Sequence, residues 1–551
     1  MRINQKTQIK YSVVGLLLMI CIVTSSVFLC PVQGQTGQID IRDFIYSTFL
    51  GGSHEDHTKD LVTDSQGNII VAGQTLSPNF PIKDAYQDTF AGGLDDPHGV
   101  GGDAIVAKFD QNGQLLWSTF LGGSNKDGAE CVRVDDTDNI YVFGMTDSVD
   151  FPITPDAYQQ GFLGGNYDLF ITKFAPNGSL VYSSYLGTAN DDGFGDCQID
   201  SNGDLVLAGI TTSADFPVTI DATQTVFGGG ADGFLIRLSA NCSSIMYSTF
   251  LGGSGSDGID EIAIDNQGNI VTTGYTLSLD FPITANAFQN TITGTYRDFF
   301  IAKYDTSNQL IYSTFFGGSH MDDCFGITTD SSGNIIFSGR TWSADFPVAN
   351  AYQENYSNIQ VDGLVSKLSP NGQELTFSSY FGGSGWDTVH HVDVDSTDNI
   401  VASGIGGPDG FPILKAFQEH HRGAVDMILM LISPEGQPLF CSYLGSSGSE
   451  HPWDQYLSDD YLFIVGYTSS PNFLISNSAY QQTYGGDSDG FIFRFNITGY
   501  LAAIELISTE STSTTTITES INTPGFEYVF IVLGVLLIIS LRMRKKGKKT
   551  C

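Results

Sequence analysis

The chain has 551 residues, with 63 glycines and 12% aromatics. So many rings exclude a disordered tract, and glycine together with aromatics points to many short strands joined by tight turns. The formal charge is −37, and residues 35–523 alone carry 15 bases against 60 acids, a net of −45. Such a surface repels phosphate backbones, which argues against nucleic acid as a partner, and it attracts cations or basic partners; solubility in a salty medium is its plainer consequence.

In chain order, Arg2, Lys6 and Lys10 precede an apolar run of about 17 residues, and the small residues of "PVQG" follow. Residues 1–34 therefore read as a secretory signal peptide, with an uncleaved anchor as the alternative. Of eight cysteines, Cys21 and Cys30 lie in this leader and Cys551 is terminal. The other five, Cys131, Cys197, Cys242, Cys324 and Cys441, are irregularly placed and form no CxxC pair. That pattern argues against a disulfide scaffold or a zinc site and suggests small buried hydrophobes.

From Tyr46 the chain writes "YSTFLGGS", and versions of this phrase begin again at 117, 182, 247, 312, 377 and 440. The spacings are 71, 65, 65, 65, 65 and 63 residues, so one unit is repeated across the middle of the chain. Each unit continues with an acid, an Asp-turn such as "DSQGNI", and a short apolar run ending at glycine. It then adds "DFP" or a relative, an Ala-x-Gln, and "D-x-F-x-x-K". This makes four strand-like runs of 4–8 residues per unit, divided by Asn-Gly, Asp-Gly and Gly-Gly turns, with no helical period. Four antiparallel strands repeated seven times predict an all-β, seven-bladed β-propeller over 35–507. A β-solenoid is the rival, but its shorter rungs have no use for the long DFP loop. The phrase is then the outer strand of one blade running into the inner strand of the next. Its first copy has no blade before it, so it should pair beside "GFIFRFN" (490–496) and close the ring, with "LAAIELI" (501–507) as a competing outer strand.

After the repeats, 508–523 is a Ser/Thr tract that reads as an extended stalk. Residues 524–541 form a second apolar run, and 542–551 is a basic tail. The basic cluster places the tail in the cytoplasm and 35–523 outside. From Phe526 to Leu541 a helix would span about 24 Å, short for a hydrocarbon core of about 30 Å.

The repeat pattern, over about residues 44–497, closely resembles the SBBP β-propeller repeat family of secreted prokaryotic proteins. The resemblance implies a propeller and no single activity. Pro524, Gly525 and Phe526, followed by a short apolar helix and a basic cluster, resemble the C-terminal sorting signals read by archaeosortase-type enzymes. That resemblance implies a helix removed and replaced by a lipid; an ordinary single-pass anchor is the alternative. Both readings put the protein on the cell surface.

The outer-to-inner loops and the DFP loops share one propeller face. That face carries Asp56, Asp127, Asp192, Asp257, Asp322 and Asp387. Such a ring of carboxylates makes calcium a candidate ligand, while each acid capping its own loop is the bland alternative. Departures from the repeat are better functional candidates than its constants. Unit one inserts residues around Asp95, Asp96 and His98; unit six holds Trp386, His390 and His391 in "GWDTVHH"; unit seven holds Trp453 in "SEHPWD". Read as loop residues on one face, they suit sugar or protein binding. No GxSxG, HExxH or Walker loop occurs, and the carboxylate pairs are too many to single out a glycosidase pair. The expected function is a surface-anchored protein that binds a protein or glycan or forms part of the envelope, not an enzyme. The alternative is a secreted polysaccharide hydrolase or lyase working through face carboxylates.

Overall fold

The Asp-turn shows how a blade is built. In "DSQGN" the Asp64 carboxylate accepts the backbone N–H groups of Gln66 and Asn68, both at 2.9 Å, and so closes a tight reversal between two strands. In the computed structural model this happens between Asp56–Thr63 and Ile69–Thr75. The model describes residues 40–92, 102–294, 297–357, 360–458 and 461–506. Asp103–Phe109 and Leu115–Leu121 complete blade one. Five further blades follow the same sequential order, each a four-stranded antiparallel sheet.

Blade seven is different. Glu450–Ser458, Tyr461–Thr468 and Asp489–Asn496 supply three strands, and Ile45–Leu50 from the start of the chain supplies the fourth. Thr48 lies opposite Ile492 in this pairing. The first copy of the phrase thus closes a seven-bladed ring, as its position required. Closure leaves no blade with an unpaired partner strand. The competing run is helical over 497–506 instead, and Tyr500 packs edge-on against Phe44, Phe417 and Phe440.

The constants of the repeat are fastenings. The DFP phenylalanine stacks on the phenylalanine of D-x-F, with ring centroids 4.5 Å apart for Phe151–Phe170 and Phe216–Phe234. The phrase tyrosine reaches the next blade, as when Tyr46 donates to the carbonyl of Gly113 at 3.0 Å and Tyr182 to that of Cys242 at 3.0 Å. The basic residue ending D-x-F-x-x-K pairs with the Asp-turn of its own blade, at 2.8 Å for Lys108–Asp64 and 2.7 Å for Lys367–Asp330. The core lies between blades, where residues such as Phe143, Phe234 and Phe250 form one cluster across blades two and three. Each fully buried ring of this size contributes about 1.5–3 kcal/mol. Ile41–Ala502 forms one compact unit, and no helix among the described residues is long and apolar enough to cross a membrane.

Candidate functional site

The face acids are loop fastenings in this structure. Asp56 accepts the N–H of Gly52 at 2.6 Å and the hydroxyl of Ser77 at 2.9 Å, and its other oxygen takes the hydroxyl of Thr75. Asp127 and Asp322 repeat the set with Gly123, Ser148 and Thr146, and with Gly318, Ser343 and Thr341. Asp192 accepts from Thr188, Asp257 from Gly253 and Ser278, and Asp387 from the N–H groups of Gly383 and Gly407. Burial pushes Asp56, Asp127 and Asp322 up to about 7 and Asp387 up to about 6, with a neighbouring acid adding to each. The neighbour is the acid of D-x-F, such as Asp489 beside Asp56 and Asp103 beside Asp127. Every blade junction therefore holds a buried acid pair. The repeat glutamine ties that pair to the phrase: Gln481 donates to Asp489 at 3.1 Å and accepts the Gly51 N–H at 3.1 Å.

What the constants leave free is the inner strand. Each of the seven inner strands carries a β-bulge at mid-length, after Thr58, Ala129, Phe194, Ile259, Cys324, Val389 and Pro452. Opposite each sits the strand-ending glycine of the repeat. A Cβ on Gly73 would lie 2.0 Å from the carbonyl oxygen of His57, and one on Gly209 would lie 2.1 Å from that of Gly193. Glycine lets the second strand approach this closely, and the bulge turns the next side chain toward the ring axis. The residues at that position are Lys59, Glu130, Gly195, Asp260, Phe325, His390 and Trp453, a different one in every blade, and blade three presents only backbone there.

Lys59, Glu130, Gly195 and Trp453, with Asp60, Asp196, Glu261, His391 and Asp454 that follow bulges, line a central cavity of about 660 Å³. A second cavity of about 250 Å³, lined also by Phe325 and His390, adjoins it and shares Glu261, His391 and Trp453. At the centre, the Arg133 guanidinium bonds Asp60 at 2.6 Å and Asp196 at 3.2 Å. Burial alone would favour loss of its proton, but these carboxylates outweigh it and hold the arginine above its usual value. Asp60 also accepts the Val132 N–H at 2.7 Å, and Asp196 the Ile262 N–H at 3.1 Å, so both acids fasten blades together.

Beyond these pairs the cavity wall holds more acid than base. Burial, reinforced by Asp196 and Asp260, raises Glu261 well above the ordinary glutamate value. Burial, reinforced by Asp60, does the same for Asp454. Asp454 keeps a quarter of its side chain exposed (25%). Burial lifts Asp393 to about 6 and Asp260 to about 7. The histidines move the other way: burial lowers His390 to about 4 and His391 to about 3. His391 Nδ1 lies 3.5 Å from Asp454, and burial works against charge on both partners.

Of the sequence candidates, His390, His391 and Trp453 lie on inner strands, not in face loops as expected. The bulge moves them into the channel. Trp386 stays on a loop, 43% exposed, next to Trp342 and over the Arg340 guanidinium. Arg340 in turn bonds Asp323 at 2.9 Å. Asp95, Asp96, His98, Pro524, Gly525 and Phe526 lie outside the described residues. Asp60, Arg133, Asp196, Glu261 and Asp454 escaped sequence reasoning, although an acid 14 residues after the phrase start in four units (Asp60, Asp196, Glu261, Asp454) was a usable signal. The cysteine expectation needs correction. Cys131 and Cys197, 66 residues apart, form a disulfide between the inner strands of blades two and three. Cys242, Cys324 and Cys441 are buried and free, as expected.

No family model matches the chain. Regulatory protein FlaEY of Caulobacter vibrioides is 21% identical over 301 residues, 52% of this chain; the chain spans 31% of that protein's length. Among solved structures, the Neurospora crassa Pan2 WD40 domain superposes with a TM-score of 0.40 and 7% identity, covering 83% of this chain and 97% of that one. Sqt1 from Chaetomium thermophilum gives 0.40 and 9%, covering 82% and 99%. A polysaccharide lyase, PL25 ulvanlyase, gives 0.42 and 9%, covering 77% and 92%.

Proposed function

We propose that this chain is a binding propeller displayed outside the cell, and that its ligand, a protein or a glycan, enters the channel. The observation that carries the reading is the contrast within one repeat. The phrase acid, the glutamine and the recurring glycine are fastenings in all seven units, while the bulge position differs in every unit and lines the cavity of about 660 Å³ in four of them and its smaller neighbour in two more. Pockets of this size, with aromatic walls and a few convergent polar groups, suit ligands. Display outside the cell is supported by the leader at 1–34, the Ser/Thr stretch at 508–523 and the apolar run at 524–541. A retained helix or a lipid that replaces it would hold the protein at the membrane. A glycan array and a pull-down with the full-length protein should each be run with Trp386→Ala and Trp453→Ala. Loss of roughly tenfold or more in affinity on either change is the expected result for aromatic anchors. Two empty screens would count against the reading.

One observation favours a polysaccharide hydrolase or lyase as the second reading. Burial raises Glu261 and Asp454 in the same cavity where Asp60 is ion-paired, and carboxyls pushed apart in this way suit acid–base chemistry. Turnover of any polysaccharide that Glu261→Gln abolishes would favour it.

A further inference from the structure

We infer that the channel takes an aliphatic cation, an ammonium or guanidinium group on a free polyamine or on a lysine or arginine side chain, and releases protons in exchange for it. This rests on the reading of the chain as a binding propeller and names the chemistry of its ligand.

The first argument is charge. The cavity wall presents six carboxyl groups and two bases, Lys59 and Arg133. Arg133 is already shared between Asp60 and Asp196, and Lys59 sits 3.5 Å from Glu130. Glu261, Asp393 and Asp454 feel the Arg133 charge, but among the ion pairs of the described residues none joins them to Lys59 or Arg133. His390, His391 and His451 stay neutral through burial and supply no charge.

The second argument is an unspent acceptor. Gln455 is 6% exposed and gives its amide nitrogen to Val401 O at 3.0 Å and Asp393 at 3.3 Å, which leaves its Oε1 without a donor. A buried acceptor with no donor costs about 1–3 kcal/mol, and a ligand with several N–H groups would relieve it.

The third argument is spacing. Among the described residues, the one group of three or more metal-ligating side chains within 4.8 Å of one another is Cys131, Asp196 and Cys197, whose sulfurs are bonded together. The channel acids are thus too spread for a bare divalent ion, which wants 6–8 oxygens at about 2.3–2.6 Å, and are suited to a group that reaches outward with N–H donors. The wall already shows the contact such a ligand would make. Lys59 Nζ lies 3.6 Å from the centroid of the Trp453 ring, a cation held over an aromatic face. Phe325 and Pro452 in the smaller cavity offer an apolar lining for an aliphatic stem.

A cation entering this ring favours the ionised acids, so protons on Glu261 and Asp454 leave and binding tightens as pH rises. Spermidine and N-acetyl-arginine amide should be titrated calorimetrically into the full-length protein at about pH 5.5 and about pH 8, in two buffers of different ionisation heat. The expected result is binding that is roughly tenfold or more tighter at the higher pH, with net proton release. Glu261→Gln with Asp454→Asn should lower affinity by about tenfold or more without lowering the melting temperature, because the amides fill the same space and carry no charge to bury. If that variant fails to fold, the pH dependence and proton count of the unaltered protein decide alone. Binding of spermidine only points to a free polyamine, and binding of the arginine probe only points to a basic side chain. Absence of both at the higher pH, or binding that ignores pH, overturns the inference. A glycan or protein ligand lost with Trp386→Ala while neither amine binds overturns the cation site and leaves the binding reading intact; screens that find no ligand of any kind remove both.

Discussion

An alanine at position 209 would place its Cβ 2.1 Å from the carbonyl oxygen of Gly193, a backbone atom that cannot swing aside. Gly209→Ala should therefore lower the unfolding free energy by about 2–3 kcal/mol in a denaturant melt. Gly67 is the control, since nothing lies within 4 Å of its Cβ position and its φ is +75°. Gly67→Ala should cost about 1–2 kcal/mol, from the left-handed backbone alone. A Gly209→Ala protein as stable as the Gly67→Ala one would mean that the bulge does not need the close approach. These glycines were visible in the sequence as a recurring letter. Their reason was not, because it lies in a carbonyl on another strand. The same holds for Lys59, Glu130, Phe325, His390 and Trp453. They share one offset from the phrase, and that offset reads as noise in a repeat until the bulge shows that it points to the axis.

Between elements, the fastenings are side chains that cross from blade to blade. The count of blades, the strand order and the closing strand were legible, because constant spacing reports a stacked unit and the phrase has one copy without a blade before it. The Cys131–Cys197 bond was not legible. The two residues stand 66 apart, and only ring geometry brings neighbouring inner strands to the same height. A crosslink of this span restricts the unfolded chain, so reduction or Cys197→Ala should cost about 2–4 kcal/mol. Free thiol titration and a denaturant melt with and without reductant would check both the bond and its effect. Unfolding that ignores reductant would mean the crosslink is absent in solution. Asp196, within 3.9 Å of the Cys131 sulfur, would lose its alignment on Arg133 if the strands part, so a ligand that needs the channel should bind more weakly after reduction.

Across the whole molecule, two sets of repeated acids pull stability in opposite directions with pH. The junction acids Asp56, Asp127, Asp168 and Asp322 are pushed up to about 7, chiefly by burial. Between about pH 4 and about pH 7 the folded state binds more protons at these sites than the unfolded chain does. Stability from this set is thus highest below that window, falls as pH rises through it and levels off above. The turn acids Asp64, Asp265, Asp330 and Asp395 oppose them. Burial works to raise these acids, but the amide and hydroxyl donors of the turn, with a lysine in the first three, hold them below the usual carboxylate range. Their stabilisation is present above about pH 4 and is lost below it. The two sets place the optimum in the mildly acidic range, and the melting temperature should be several degrees higher at about pH 5 than at about pH 8. Calcium enters the same experiment. The oxygens of Asp56, Asp127 and Asp322 are already taken by loop donors, so a chelator should leave the melting temperature unchanged at either pH. A chelator-sensitive melt, or one that rises from pH 5 to 8, would mean that the junction pairs hold a cation. The face acids would then be the metal ring that their spacing in the sequence first suggested.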